Sequence, residues 1–263
     1  MNIKELLAHP LTRGLNIDEP HCTDIRRSVI REKSFLCQIY EEWYESVTEL
    51  LLPGEKPVLE LGSGGGFLND YIPELITSDI FLCRNASIVL DGISLPFSDE
   101  SLRGIVMINV LHHLNRPRQF FSEACRCVCS SGFVIMIEPW VTRWSRFIYS
   151  KMHHEPFRPD DAEWSFSEKG PLSGANGALP WIIFKRDRNQ FEKEYPGWQI
   201  HTIKPVMPFR YLLSGGVSLR SIMPGQTFSI WRNIEKVLQP WMNSLAMFAL
   251  ISLTRTDSYQ NNL

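Results

Sequence analysis

The sequence predicts an α/β protein built on a doubly wound, mostly parallel sheet of seven strands, with an insert after the fifth. Three observations predict it. Residues 58–67 read Val-Leu-Glu-Leu-Gly-Ser-Gly-Gly-Gly-Phe, an apolar strand that breaks into a glycine loop. At about the 20-residue interval that separates the first two strands of a doubly wound sheet, residues 75–79 (Leu-Ile-Thr-Ser-Asp) form a second apolar run ending in an acid. Runs of strand length then alternate with helical stretches as far as residue 137, the pattern of successive βαβ units.

The elements follow in order. Residues 25–47 carry Ile30, Phe35, Ile39, Tyr40, Trp43 and Val47 at three- and four-residue steps, one apolar stripe of a single helix whose main use is to pack on the sheet. Val58, Leu59 and Leu61 suit a first strand buried on both faces. The third strand, 88–90, ends at Asp91-Gly92, and the fourth, 104–109, leads into a helix starting at 110–114. An amphipathic helix over 120–128 ends at Ser130-Ser131-Gly132, and 133–137 form the fifth strand. Strand six covers 198–203, a helix 226–243, and strand seven 247–255, antiparallel beside strand six. The organisation expected is an N-terminal helical lid (1–55), a cofactor-binding core (56–139), an inserted acceptor cap (140–198), C-terminal strands and helix completing the sheet (199–255) and a polar tail (256–263). The insert is expected to be functional because irregular segments of this length inside a compact domain are usually lids or binding loops.

Composition narrows the function. The 263 residues suit one sizeable core with decoration. A net charge of −2 without a long basic run gives no sign of a nucleic-acid surface. The start has no long apolar core of a secretory signal, and the apolar stretch at 245–253 is far short of a membrane span, so a cytoplasmic protein without stable membrane insertion is expected. Six cysteines then read as free thiols. Cys125, Cys127 and Cys129 stand two apart on a helix and share no face, and His153-His154-Glu155 lacks a third ligand at motif spacing, so no metal is expected. Nothing in the sequence indicates the oligomeric state.

The glycine loop decides the cofactor class. A dinucleotide fingerprint G-x-G-x-x-G would place its last glycine at Phe67; Gly62, Gly64 and Gly66 instead give E-x-G-x-G-x-G. That form resembles the first motif of the S-adenosylmethionine (SAM)-dependent methyltransferases with the Rossmann-like fold, of the type 11 kind. The resemblance is strongest over residues 40–140. His153–Phe157, the 174–181 stretch and 213–217 look like a less characterised bacterial subgroup. Ser130-Ser131-Gly132 stands where the family usually has Pro-Gly-Gly, and Arg103-Gly104 where strand four usually begins with an acid.

The resemblance implies SAM as cofactor, with Glu60 fixing the glycine loop and the methionine ammonium. It further implies that amides around Gly62, Ser63, Gly64 and Gly66 face the methionine end, that Asp79 takes the ribose hydroxyls, that Asp91 and Gly92 lie near the adenine, and that Asn109 and Val110 line the other side. Tyr40 and Tyr44 are lid candidates. Methyl transfer needs a base only when the acceptor loses a proton, and histidine titrates in the right range. His112 and His113 stand where ligands bind in such sheets, at the carboxyl end of strand four, and His154 in the insert. A histidine at any of these positions also suits plain packing. Trp140, Asn176, Trp181 and Tyr211 are the candidate acceptor contacts. The function expected is methylation of a small, sugar-linked or lipid-linked acceptor, with oxygen favoured. The alternatives are a nicotinamide-dependent oxidoreductase and an inactive methyltransferase-like binding protein.

Overall fold

The computed structural model describes residues 8–16, 18–152, 155–167, 170 and 172–256. Helices α1 (His21–Glu32) and α2 (Ser34–Thr48) precede strand β1 (Val58–Leu61). Then come β2 (Ile76–Asp79), β3 (Ile88–Val89), β4 (Leu102–Ile108), α3 (Pro117–Cys127), β5 (Val128–Pro139) and α4 (Arg143–Met152). A short helix at Leu179–Trp181 runs into a π-turn, and α5 (Arg188–Glu194), β6 (Trp198–Val206), α6 (Arg210–Ser214), α7 (Phe228–Val237), α8 (Met242–Leu245) and β7 (Phe248–Arg255) complete the chain. Among the described residues, no helix is long and apolar enough to cross a membrane.

The strands form one sheet of order β3-β2-β1-β4-β5-β7-β6. β1 to β5 are parallel, and β7 runs antiparallel to both β5 and β6. Side chains alternate between the two faces, as the strand repeat requires. Leu59, Leu61, Ile105, Met107, Val134 and Met136 meet α3 and the 178–195 segment on one face. Val58, Val106, Phe133, Ile135 and Ile137 meet α2 on the other, through Leu36, Ile39, Trp43 and Val47. The apolar stripe read from the sequence therefore does pack on the sheet. Because β1 pairs with β2 on one side and β4 on the other, the chain order reverses there, and a crevice opens at the carboxyl ends of these strands.

Three expectations about the elements are corrected. The helix expected over 25–47 is broken at Lys33, whose backbone leaves the helical region (φ −86°, ψ 89°). Its buried ammonium donates to the carbonyls of Gly216 and Leu219, the latter at 2.7 Å, which draws the joint inward. The helix expected over 226–243 becomes α7, a 3-10 turn at Gln239–Trp241 and α8, because Pro240 lacks the amide needed to continue it. β5 starts at Val128 rather than 133: Val128 pairs with Leu102 and Phe133 with Gly104, so the intervening polar residues stand out of the ladder as a bulge.

The insert divides in two. Residues after α4 line the crevice, whereas Trp164, Leu179, Ile182, Ile183 and Phe184 are buried in the core beneath the sheet. Arg210, itself buried, ties α2 to the C-terminal segment by pairing with Glu42 at 2.7 Å and Glu235 at 2.6 Å.

Candidate active site

The crevice is a cavity of about 670 Å³, well within the ~300–1,000 Å³ usual for small-molecule sites. One end is the glycine loop. Gly64 has φ +52°, a left-handed conformation that disfavours any other residue, and a Cβ built there would meet nothing closer than 3.7 Å. It would point into the cavity. Gly65 serves another purpose: its Cβ would lie 2.5 Å from the backbone nitrogen of Arg27, so the missing side chain lets α1 sit directly on the loop. The Arg27 guanidinium also donates to the Gly66 carbonyl, and the amide of Phe67 donates to the buried Tyr44 hydroxyl at 2.9 Å. Tyr40 and Tyr44 both line the cavity.

The loop is fastened to β2. Ser63 N donates to Ser78 O at 2.7 Å, and Ser78 N donates to Ser63 Oγ at 3.1 Å. Asp79 accepts from Gly64 N at 3.0 Å through one carboxylate oxygen and from Phe81 N at 2.9 Å through the other. Burial raises its pKa from the ordinary range, against the pull of those donors. Glu60 is the more informative acid. It is 3% exposed, and its Oε2 is buried without a hydrogen-bond partner. Burial, with Asp79 adding to it against the opposing Ser63 hydrogen bond, pushes its carboxyl up to about 7. A buried, unpartnered carboxylate oxygen on a residue that lines the cavity is a costly arrangement that a cationic ligand reaching it would relieve. Gly62, Ser63, Gly66, Asp91, Gly92, Asn109 and Val110 all line the same cavity. Asn109 holds φ +58°, a strained backbone for a residue other than glycine, at the end of β4 where its amide donates to Ile137 O at 2.9 Å.

The other end is organised by Glu138, which is fully buried at the end of β5. Its Oε1 accepts from the amides of Val110 (2.8 Å) and Leu111 (2.7 Å), and its Oε2 lies 2.6 Å from His112 Nδ1. His112 Nε2 lies 3.5 Å from Glu155 Oε2. Burial alone would lower the His112 pKa, but Glu138 and Glu155 override it and raise it to about 9. Burial first, and then the neighbouring His112, push His113 down to about 3, and its Nδ1 faces the Gly174 carbonyl at 3.4 Å. Tyr149, Phe157 and Tyr211 give this end apolar walls.

Residues 59–136, which carry the glycine loop, Asp79, Asp91 and both histidines, match the profile of the Methyltransferase domain family. The chain carries a Rossmann-like SAM-dependent methyltransferase domain. No curated protein matches the sequence. Among solved structures, the methyltransferase is similar in fold to the geranyl diphosphate C-methyltransferase of Streptomyces coelicolor A3(2), solved with Mg2+, geranyl diphosphate and S-adenosylhomocysteine. The identity is 12%, the match covers 95% of this chain and 89% of that one, and the TM-score is 0.53. A chain of the complex between the Haloferax volcanii Trm112 methyltransferase activator and a methyltransferase matches at 12% identity, covering 90% and 99%, with TM-score 0.51. A SAM-dependent methyltransferase of Thermotoga maritima matches at 17% identity, covering 82% and 89%, with TM-score 0.50.

Three expected acceptor contacts of the methyltransferase lie elsewhere. Trp140 is buried in the core, and Trp181 packs against that core outside the cavity. Asn176 is a buried brace: its side chain accepts from Arg158 N at 2.9 Å and donates to Arg158 O at 3.1 Å, while its amide donates to His112 O at 2.9 Å. Tyr211 does line the cavity. His154 lies outside the described residues. Glu138 was missed as a site residue, although a lone acid closing an apolar strand is the same signal that marked Asp79.

Proposed function

We propose that this methyltransferase moves the methyl group of SAM to an oxygen of a small, sugar-linked or lipid-linked acceptor, held at the His112–Glu155 end of the cavity. The observation that carries the reading is one cavity with an unsatisfied buried carboxylate oxygen at Glu60 and a histidine–glutamate cluster opposite. The residues present fit the cofactor. Glu60 answers a methionine ammonium, Gly62, Ser63, Gly64 and Gly66 line the cavity with Gly64 leaving room for close backbone approach, and Asp79 keeps lone pairs free for ribose hydroxyls. Asp91 and Gly92 stand at the adenine side, with Asn109 and Val110 across from the loop.

Bound SAM supplies an electrophilic methyl on a sulfonium whose positive charge is lost on transfer. The protein's part is to hold the acceptor oxygen in line and keep water out, which supplies much of the acceleration without a covalent residue. Tyr149, Phe157 and Tyr211 form that enclosure. A hydroxyl must give up its proton as the new bond forms, whereas an amine attacks through a lone pair. Glu155 offers acceptor atoms for that proton, with His112 and Glu138 behind it and the neutral His113 presenting a lone pair to orient the hydroxyl, and this favours oxygen. His154 belongs to the same candidate set by sequence. The free cysteines favour a cytoplasmic setting, and a net charge of −2 favours an acceptor other than nucleic acid.

Calorimetric titration tests the cofactor: S-adenosylhomocysteine binds and NAD does not. Turnover of SAM bearing a carbon-13 methyl, against panels of hydroxylated, sugar-linked and lipid-linked compounds, tests the acceptor atom. A product whose labelled methyl sits on nitrogen or carbon removes the oxygen assignment.

A further inference from the structure

The polar end of the cavity contains a geometry that enclosure and proton removal do not require. His112, His113 and Glu155 each bring one ligand atom to within 4.8 Å of the other two. The imidazole of His112 is fixed from behind: its Nδ1 is 2.6 Å from Glu138 Oε2, and Glu138 is anchored by the amides of Val110 and Leu111. A buried carboxylate that takes one ring nitrogen of a histidine and leaves the other presented is the usual outer support of a metal-ligating histidine. His113 repeats the arrangement with a backbone carbonyl, Gly174 O at 3.4 Å from Nδ1. A carbonyl can only accept, so that nitrogen carries the proton and Nε2 keeps its lone pair.

The spacing points the same way. His112 Nε2 and Glu155 Oε2 are 3.5 Å apart, longer than the ~2.7–2.9 Å of a charge-assisted hydrogen bond. Two ligands at about 2.0–2.2 Å from one tetrahedral ion stand roughly 3.3–3.6 Å from each other. We propose that His112, His113 and Glu155 bind a divalent first-row transition metal of the zinc class at the acceptor end of the cavity, with Glu138 as the positioning residue behind His112. Two imidazoles and one carboxylate suit such an ion better than magnesium, which prefers oxygen and water. Three protein ligands leave a position open toward the cavity, the arrangement of catalytic rather than structural sites. An acceptor hydroxyl or carboxylate oxygen would take that position, and the ion would draw charge from it and ease loss of a hydroxyl proton. This use of the ion rests on the acceptor reading above; the binding of the ion does not. The sequence hid the site because Glu155 and the two histidines come from segments on opposite sides of β5.

The test uses the full chain, stripped with a chelator and titrated with Co2+ and then Zn2+, reading cobalt absorption and bound metal per chain. S-adenosylhomocysteine affinity is measured on the same samples. One equivalent binds, Glu155→Gln and His113→Ala each weaken metal binding, and Glu138→Gln weakens it about 10- to 100-fold. In Glu155→Gln the affinity for S-adenosylhomocysteine stays within about threefold, which shows that the variant is folded. Failure of a wild-type chain that binds S-adenosylhomocysteine to take up metal stoichiometrically overturns the site. So does metal affinity unchanged in Glu155→Gln and His113→Ala. A chain that binds metal but not S-adenosylhomocysteine instead overturns the methyltransferase reading of the cavity and leaves the metal site standing.

Discussion

The two ends of the cavity are built by different means. At the glycine-loop end, the cavity wall comes from a few neighbouring turns at the tips of β1 and β2, held in shape largely by backbone amides. At the acceptor end, side chains converge from β5, the turn after β4, the segment after α4 and α6. A site built on a short glycine turn depends on the conformation of a few neighbouring residues, Gly64 above all. A side-chain site is specific to its own residues. On the proposed reading, the chemistry common to methyltransferases lies in the first, and the identity of the acceptor in the second.

That contrast can be broken most severely at Glu138, which joins the two ends. Glu138→Ala strands the amides of Val110 and Leu111 and the His112 imidazole in a dry interior, and unfolding in urea should show a loss of about 3–5 kcal/mol, as for breaking a buried charged pair. Glu138→Gln, which keeps one acceptor, should lose less. A stable alanine variant would show that the acceptor end does not depend on this anchor.

Gly64→Val tests the backbone end. The added side chain enters the space the cofactor needs, and calorimetry should show S-adenosylhomocysteine affinity falling at least about 100-fold, or about 2.7 kcal/mol. Wild-type affinity in a folded variant would move the loop out of the site. A smaller effect follows from pH. Protonated Glu60 cannot pair with an ammonium, and its carboxyl is pushed up to about 7. The charged form is therefore lost as pH falls through that value, and binding of a cation recovers it. Affinity for S-adenosylhomocysteine should weaken about tenfold from pH 8 to pH 6, and the dependence should vanish in Glu60→Gln. A flat profile in the wild type would separate Glu60 from the ammonium.

The smallest effect is expected at Trp181. It packs outside the cavity, so Trp181→Ala should leave both S-adenosylhomocysteine affinity and the acceptor KM within about threefold, under about 0.7 kcal/mol. A large rise in KM would return Trp181 to the acceptor wall.

The same contrast explains what could be read in advance. That the glycine loop, Asp79 and Asp91 would meet at one cavity was legible because each ends a strand or follows one by one or two residues, and strand order supplies their convergence. The core strands were legible from their unbroken apolar runs. Trp140 and Trp181 were misread because an aromatic residue in an irregular segment looks the same whether it faces a ligand or the underside of a sheet. Glu138 was missed because its partners, Val110 and His112, lie 28 and 26 residues away, and only the β4–β5 pairing brings them together. The break at Lys33 was invisible for the same reason, since the carbonyl that draws it inward is 186 residues distant.

That buried lysine also bears on turnover. Its ammonium stands at the joint between α1, which covers the glycine loop, and α2, and it grips the carbonyls of Gly216 and Leu219, two residues of the wall opposite. One cation thus fastens the helix on the glycine loop to another part of the cavity wall. Any movement of α1 away from the loop would therefore pull on residues 216–219 as well. If α1 is the cover, exchange of the nucleoside and departure of the methylated product would be coupled through this one side chain.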